Sequence, residues 1–118
     1  MRDDPSRLLD ILLACRNIQE AVAGCSEGQF AADRKTHAAA FMELQIIGEA
    51  ARTISEEFKK SHPEVPWADM AGLRNRVIHE YFRLDLKMIW DTIQNDVPRL
   101  IGMVKSLVPP DVPEKAGP

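Results

Sequence analysis

The chain has 118 residues, a net charge of −3 at neutral pH and a pI near 5.6. Apolar residues make up 45% of it and charged residues 28%, which excludes a disordered chain and indicates one domain with a single core. A protein that binds nucleic acid generally along its phosphate backbone would be basic, so any site for a phosphate must here be local. Apolar runs are too short to span a membrane, and we expect a cytoplasmic protein in which Cys15 and Cys25 are free thiols.

The first half of the chain predicts two long helices. Over residues 6–23 apolar residues recur every three or four positions, and Ser6, after Pro5, is the expected cap. The glycines of "AGCSEGQF" should break this helix. The second helix should cover residues 33–54, with an aspartate as its cap. Its broad apolar face includes Gly48, which is typical of a central helix closely approached by its neighbours.

The second half predicts shorter helical segments. "SEEFKKSHPEVP" reads as a short polar helix ended by prolines, and a third core helix begins near Trp67. A fourth begins at Asp85, its cap, and Pro98 should kink or break it before a last piece that reaches about residue 107. We interpret Trp67 and Trp90 as core anchors. No stretch alternates with period two, so the predicted fold is an all-α, up-and-down helical bundle over residues 1–108, followed by a proline-rich, disordered tail over residues 109–118.

The third core helix contains the most informative motif. "RNRVIHEYF" places Arg74, Asn75, His79 and Tyr81 in the order Arg-x4-His-x-Tyr. Over residues 74–87 cations outnumber carboxylates although the whole chain is acidic; the charges are Arg74, Arg76, Arg83 and Lys87 against Glu80 and Asp85. The motif is therefore a candidate phosphate-handling site.

The chain resembles HEPN-domain proteins of the HepT type, the toxins of HepT/MntA toxin–antitoxin systems. Besides the motif, the similar stretches are "ELQIIGEAARTISEEFKKSHPEVPW" and "DLKMIWDTIQNDVPRL". The resemblance implies a helical homodimer and a metal-independent endoribonuclease, the toxin of a type VII-like system. It also implies a partner, an MntA-like nucleotidyltransferase antitoxin that adenylylates the motif tyrosine and forms a larger hetero-oligomer with the toxin. By this resemblance Arg74 and His79 are catalytic, Asn75 supports them, and Tyr81 accepts the adenylyl group.

The residue types suit this chemistry. Histidine, with an ordinary pKa of about 6.5, transfers protons near neutral pH, and arginine holds two phosphate oxygens at once. Asn75 lies four residues before His79, on the same helix face, and can orient the imidazole or contact the phosphate. Arg74 and His79, five positions apart, are separated by roughly 140° around a helix. We therefore expect a composite site where two copies of this helix meet across a dimer interface.

Other interpretations remain open on the sequence alone. The helical dimer could bind or regulate a nucleotidyltransferase without cleaving RNA, or the motif could be a salt-bridged structural interface. Tyr81 lies at an apolar helical step, so it could pack in the core as well as accept an adenylyl group. We expect Arg76 and Arg83 to be solvated or structural charges. The histidines and cysteines show no zinc-type spacing, so no metal or other cofactor is expected.

Overall fold

The computed structural model describes residues 3–109, and every regular element in that range is an α-helix. The all-α prediction is confirmed; the predicted tail beyond residue 109 lies outside the described residues. None of the described helices is long and apolar enough to cross a membrane. The helices, in chain order, are α1 (Asp4–Val22), α2 (Glu27–Ala32), α3 (Arg34–Thr53), α4 (Glu56–Ser61), α5 (Trp67–Phe82) and α6 (Leu86–Lys105).

Short polar side chains fix where the helices begin. Asp33 and Asp85 cap α3 and α6 as predicted, because their carboxylates accept hydrogen bonds from backbone N–H groups of the first turn. The prediction that Ser6 caps α1 is wrong. The cap is Asp3, whose Oδ1 accepts from the backbone N of Ser6 at 2.9 Å, and Pro5 lies within the first turn, where its missing N–H costs nothing.

The glycine-rich segment after α1 contains a short helix that we did not predict. α1 ends at Val22, and Gly24 adopts a left-handed φ of 78°, so the predicted break is confirmed. Ser26 and Gln29 then form a reciprocal capping box, with distances of 3.1 Å and 2.9 Å. The resulting helix α2 buries Phe30 completely. Six residues are too few to show a periodic apolar pattern, so the capping pattern was the only signal for α2 in the sequence.

Pro98 does not break the fourth core helix. α6 continues through it from Leu86 to Lys105 as one element. Pro98 and Gln94 both lie on the exposed side of α6, where a carbonyl that loses its helical N–H partner can bond to water instead. Of the predicted kink or break at this position, the break is therefore wrong.

Helix α3 lies between α1 and α5 and packs along both. It runs antiparallel to α1, since Arg7 donates to the side chain of Thr53 at one end and Asn17 to Glu43 towards the other. It also runs antiparallel to α5, because Gly48 meets Arg74 and Phe41 stacks on Tyr81. Small residues on α3 allow this close packing; Ala40, Gly48, Ala50 and Ala51 are buried. The up-and-down arrangement of these helices agrees with the prediction.

Both tryptophans pack against the core, as predicted. Trp67 is buried and donates from Nε1 to the carbonyl of His62 at 2.9 Å, while Trp90 is half-buried and packs on Phe30 at 5.2 Å. The cysteines are free thiols, which confirms that prediction. Burial raises the pKa of the Cys15 thiol to about 12, so this cysteine is a core residue and not a nucleophile.

A strained turn ends α5. Leu84 has a left-handed φ of 61°, the only positive φ of a non-glycine residue within residues 3–109. Its N–H donates to the carbonyl of Tyr81 at 3.0 Å, and the N–H of Asp85 donates to that of Glu80 at 2.9 Å. This is a Schellman cap with leucine at the position that favours glycine. The Leu84 side chain is 74% exposed, so no core packing offsets the strain.

Candidate active site

Helix α5 directs three of its four motif residues away from the core. Its buried face consists of Trp67, Met70, Leu73 and Val77. The helical period then leaves Arg74, Asn75 and His79 exposed and Tyr81 half-buried at the edge of that face. The structure therefore places all four predicted site residues on one helix, three of them open to solvent.

Arg74 is held at the contact between α3 and α5. A Cβ built on Gly48 would lie 2.9 Å from the backbone N of Arg74 and 3.0 Å from its Cβ. The carbonyl of Arg74 also accepts a hydrogen bond from Nε2 of Gln45 at 3.5 Å. The backbone of Arg74 is thus seated on α3, while its guanidinium extends into solvent.

An acidic residue lies beside that guanidinium. Arg74 lines an open cleft together with Gln45, Ile46, Glu49 and Arg52. Glu49 accepts two hydrogen bonds from Arg52, at 2.7 Å and 3.3 Å. These bonds, with the nearby charges of Arg52, Arg74 and Arg7, hold the pKa of the Glu49 carboxyl below its usual range. The cleft is therefore arginine-rich, with one ionised carboxylate that partly offsets its positive charge.

His79 occupies the last turn of α5, where a second arginine meets it. Nη1 of Arg83 lies 3.3 Å from Nε2 of His79, close enough to donate when that nitrogen carries no proton. This contact would leave the proton on Nδ1. Arg83 was expected to be a solvated or structural charge; its i,i+4 spacing from His79 was the signal in the sequence that it belongs beside the site.

The two residues predicted to be catalytic are not linked to each other within one copy of the chain. Within residues 3–109 no hydrogen bond joins Arg74 to His79, and Asn75 makes no side-chain hydrogen bond to either. Large apolar side chains are exposed on the neighbouring surface: Met42 at 58% and Ile46 at 38% on α3, and Phe82 at 73% on α5. We call these three residues the apolar patch. Since Ile46 shares the cleft of Arg74 and Phe82 lies three residues after His79, the patch adjoins both motif residues.

Tyr81 is set into an aromatic pocket. Its ring stacks on Phe41 with centroids 4.2 Å apart and planes 17° apart. Its hydroxyl lies 3.1 Å from Nδ1 of His37, which is itself buried. No local pattern predicts this pairing, because His37 and Tyr81 are 44 residues apart and meet only when α3 and α5 pack.

The all-helical fold agrees with that of a HEPN-type domain. The model of the family described as "Ribonuclease HepT-like" matches residues 11–107, and the chain therefore belongs to the HepT-like ribonuclease family. No group of three or more His, Cys, Asp or Glu side chains that could hold a metal ion is found among residues 3–109.

Relatives support the same assignment. The chain is 39% identical over 106 residues to "Probable ribonuclease HepT" of Thermococcus cleftensis, covering 90% of this chain and 96% of the relative. It is 39% identical to "Putative RNase TTE0752" of Caldanaerobacter subterraneus, over 83% of this chain and 88% of the relative. It is 35% identical to "Putative RNase MJ0127" of Methanocaldococcus jannaschii, over 91% of this chain and 88% of the relative. No solved structure matches the chain significantly.

Proposed function

We propose that the protein is the ribonuclease toxin of a toxin–antitoxin pair and that it cleaves RNA without a metal ion. Membership of the HepT-like ribonuclease family supports the ribonuclease activity. The observation that carries the choice of residues is the exposure of Arg74, Asn75 and His79 on α5, beside the apolar patch. A polar triad next to exposed apolar side chains suits a site completed by a second copy of the chain.

In the proposed reaction the RNA supplies its own nucleophile. A 2′-hydroxyl attacks the adjacent phosphorus, its proton passes to an imidazole, and the bond to the 5′-oxygen breaks as that oxygen gains a proton. His79 exchanges these protons, and Arg74 holds the phosphate oxygens as negative charge builds on them. Asn75, one helical turn before His79, orients the ring or contacts the phosphate. The expected products are a 2′,3′-cyclic phosphate and a 5′-hydroxyl.

A homodimer would complete this site. Arg74 and His79 lie roughly 140° apart around α5, so one helix does not present both neatly to a single phosphate, even with the long reach of arginine. Pairing two α5 helices about a two-fold axis would bring both arginines and both histidines to one cleft and cover the apolar patch. Arg83, already beside His79, would add a further cation there.

We further propose that a nucleotidyltransferase antitoxin of the MntA type silences the toxin by adenylylating Tyr81. Tyr81 lies two residues after His79, at the edge of the exposed face of α5. AMP attached there would place bulk and a phosphodiester charge beside the motif. RNA would then be excluded by occupancy and by like-charge repulsion.

RNA cleavage by the purified protein tests the nuclease proposal. With EDTA present, the wild type should cut RNA and leave 2′,3′-cyclic phosphate ends. Arg74→Ala and His79→Ala should each lower the cleavage rate by about 100- to 1,000-fold. Arg76→Ala is the matched control: this arginine lies on the same helix, is exposed and contacts Asp96 at 3.7 Å, so it should keep near wild-type activity.

The outcome also separates the rival function. Equal cleavage by wild type, Arg74→Ala and His79→Ala would contradict the assigned site. A wild type that cuts no RNA and does not arrest growth on expression, yet binds a nucleotidyltransferase, would favour the non-catalytic binding dimer.

A further inference from the structure

A buried histidine lies directly behind the tyrosine hydroxyl. His37, in the first turns of α3, is only 8% exposed. Its Nδ1 is 3.1 Å from the Tyr81 hydroxyl, and the two ring centroids are 5.5 Å apart. Phe30 meets His37 edge-on at 6.1 Å. The proposed cleavage of RNA makes no use of this polar pair.

We propose that His37 is the catalytic base for adenylylation of Tyr81, accepting the phenolic proton as the tyrosine oxygen attacks. This inference rests on the proposed silencing of the toxin at Tyr81. It assigns part of the modification chemistry to the toxin itself, which is then more than a passive acceptor.

A base beside the phenol would speed this reaction. An ordinary tyrosine has a pKa of about 10, so near neutral pH the phenol is protonated and weakly nucleophilic. A general base must lie about 2.6–3.2 Å from the atom whose proton it takes, and Nδ1 of His37 meets this condition. The role uses the tautomer with its proton on Nε2, which leaves Nδ1 free to accept.

The reaction balances with a nucleoside triphosphate and its divalent cation, both brought by the nucleotidyltransferase. The Tyr81 oxygen forms a bond to the α-phosphorus, and the bond from that phosphorus to the bridging oxygen breaks. Its electron pair leaves with pyrophosphate. The phenolic proton passes to Nδ1 of His37 and afterwards to solvent or pyrophosphate. AMP remains on Tyr81.

The packing around the pair favours His37 over His79 for this step. The stack on Phe41 fixes the Tyr81 ring and directs its oxygen to His37. His79 is close in sequence, but two residues along a helix point roughly 200° apart. Its Nε2 is directed to Arg83 instead. The structure therefore separates two histidine roles: His79 for RNA and His37 for the tyrosine.

The test measures modification at the only tyrosine of the chain. Purified MntA-type nucleotidyltransferase, ATP and Mg²⁺ are added, and AMP on the Tyr81 peptide is followed by mass spectrometry. His37→Gln keeps a polar partner for the hydroxyl but is not a base, and His37→Phe fills the space with an apolar ring. Both should slow modification on the order of 100-fold. The control, His62→Gln, alters a half-buried histidine in the loop after α4 and should leave the rate unchanged.

Two further measurements separate a base from a structural contact. His37→Gln should retain the wild-type melting temperature and RNA cleavage, because the hydroxyl keeps a partner. O-Acetylation of Tyr81 by N-acetylimidazole needs no antitoxin, and it too should slow in His37→Gln. This second reaction tests the nucleophile directly even if a chosen antitoxin does not recognise the toxin.

The outcomes are distinct. If wild-type Tyr81 is modified and His37→Gln is modified equally fast or faster, His37 is not the base and the silencing proposal stands. If no antitoxin modifies the wild type, silencing at Tyr81 fails, and equal acetylation of wild type and His37→Gln would overturn the role of His37 separately.

Discussion

Arg74 approaches Gly48 so closely across the α3–α5 interface that no room is left for a side chain at Gly48. A Cβ at Gly48 would lie 2.9 Å from the Arg74 backbone N, closer than real Cβ atoms approach, and 3.0 Å from the Arg74 Cβ, a distance that is unusually tight. The backbone of Arg74 cannot move to make room for such a side chain as a flexible side chain could. The position of the proposed phosphate-binding arginine therefore depends on the absence of a side chain on the neighbouring helix.

Gly48→Ala should destabilise the protein and impair its nuclease. Alanine gains about 1 kcal/mol in helix propensity, but separating two packed helices costs about 1–3 kcal/mol, so we expect a net loss of about 1 kcal/mol. The displaced Arg74 should also lower RNA cleavage about tenfold or more. Urea unfolding and cleavage rates measure the two effects.

Gly72 provides the control for this substitution. It lies on α5, and nothing lies within 4 Å of the position that a Cβ would take there, so Gly72→Ala should stabilise the protein by up to about 1 kcal/mol. If Gly48→Ala were equally stabilising and fully active, the close contact would not position Arg74.

The apolar patch should hold two copies of the chain together. Met42→Glu would place a charge where we expect apolar contact, and it should weaken dimerisation at least about tenfold, which corresponds to about 1.4 kcal/mol. Sedimentation velocity at low micromolar concentration should show a shift from dimer to monomer, with a matching loss of RNA cleavage. The control, Gln94→Glu, adds the same charge on the exposed side of α6 and should leave both dimerisation and RNA cleavage unchanged. A fully active monomer would contradict the composite site.

Glu49→Gln should strengthen RNA binding. The Glu49 carboxylate offsets the charge of Arg52 and Arg74, so removing it should tighten binding several-fold at low salt, with a smaller gain at high salt. Glu20→Gln, on α1, is the control for the change in net charge. Binding is measured by fluorescence anisotropy with labelled RNA and the inactive His79→Ala background.

The same carboxylate predicts a pH dependence. Because the folded-state pKa of Glu49 is depressed, its stabilising contact with Arg52 is fully present above the ordinary value of about 4.3 and is lost as pH falls through the folded pKa. Protonation also removes the charge that opposes RNA. The difference in RNA affinity between wild type and Glu49→Gln should therefore narrow below that ordinary value; a constant difference would point to a cause other than charge.

Leu84→Gly should stabilise the protein. A left-handed backbone costs a leucine about 1–2 kcal/mol, and this exceeds the entropy that glycine loses on folding, so we expect a gain of about 0.5–1 kcal/mol in urea unfolding. Leu84→Ala removes the exposed side chain but keeps the Cβ, and it should bring no comparable gain. Equal stability of the two variants would show that the turn stores little strain.

The long helices could be predicted because their periodic apolar positions are local information. The caps Asp33 and Asp85 followed from the same reasoning. Errors arose where local signals competed or were short. Ser6 and Asp3 are both good caps, and α2 is less than two turns long. Pro98 lies on the exposed side of α6, where water can replace a lost helical hydrogen bond.

The candidate site, too, was predictable from local sequence only in part. The exposure of Arg74 and His79 follows from the period of α5, and even the approach of Arg83 to His79 is a local i,i+4 relationship. The contacts of Gly48 with Arg74 and of His37 with Tyr81 depend on how α3 and α5 are aligned, which no single helix encodes. The sequence signalled that Gly48 would be approached closely, but not by which residue.

The aromatic pocket also gives the protein an optical signal. Tyr81, the sole phenol, touches His37; His37 meets Phe30, and the indole of Trp90 rests on the same phenylalanine. Energy absorbed by the Tyr81 ring can thus be transferred to the nearby indole of Trp90. The intrinsic tyrosine and tryptophan fluorescence of the unlabelled chain can therefore report, in real time, when the Tyr81 ring moves out of the aromatic pocket.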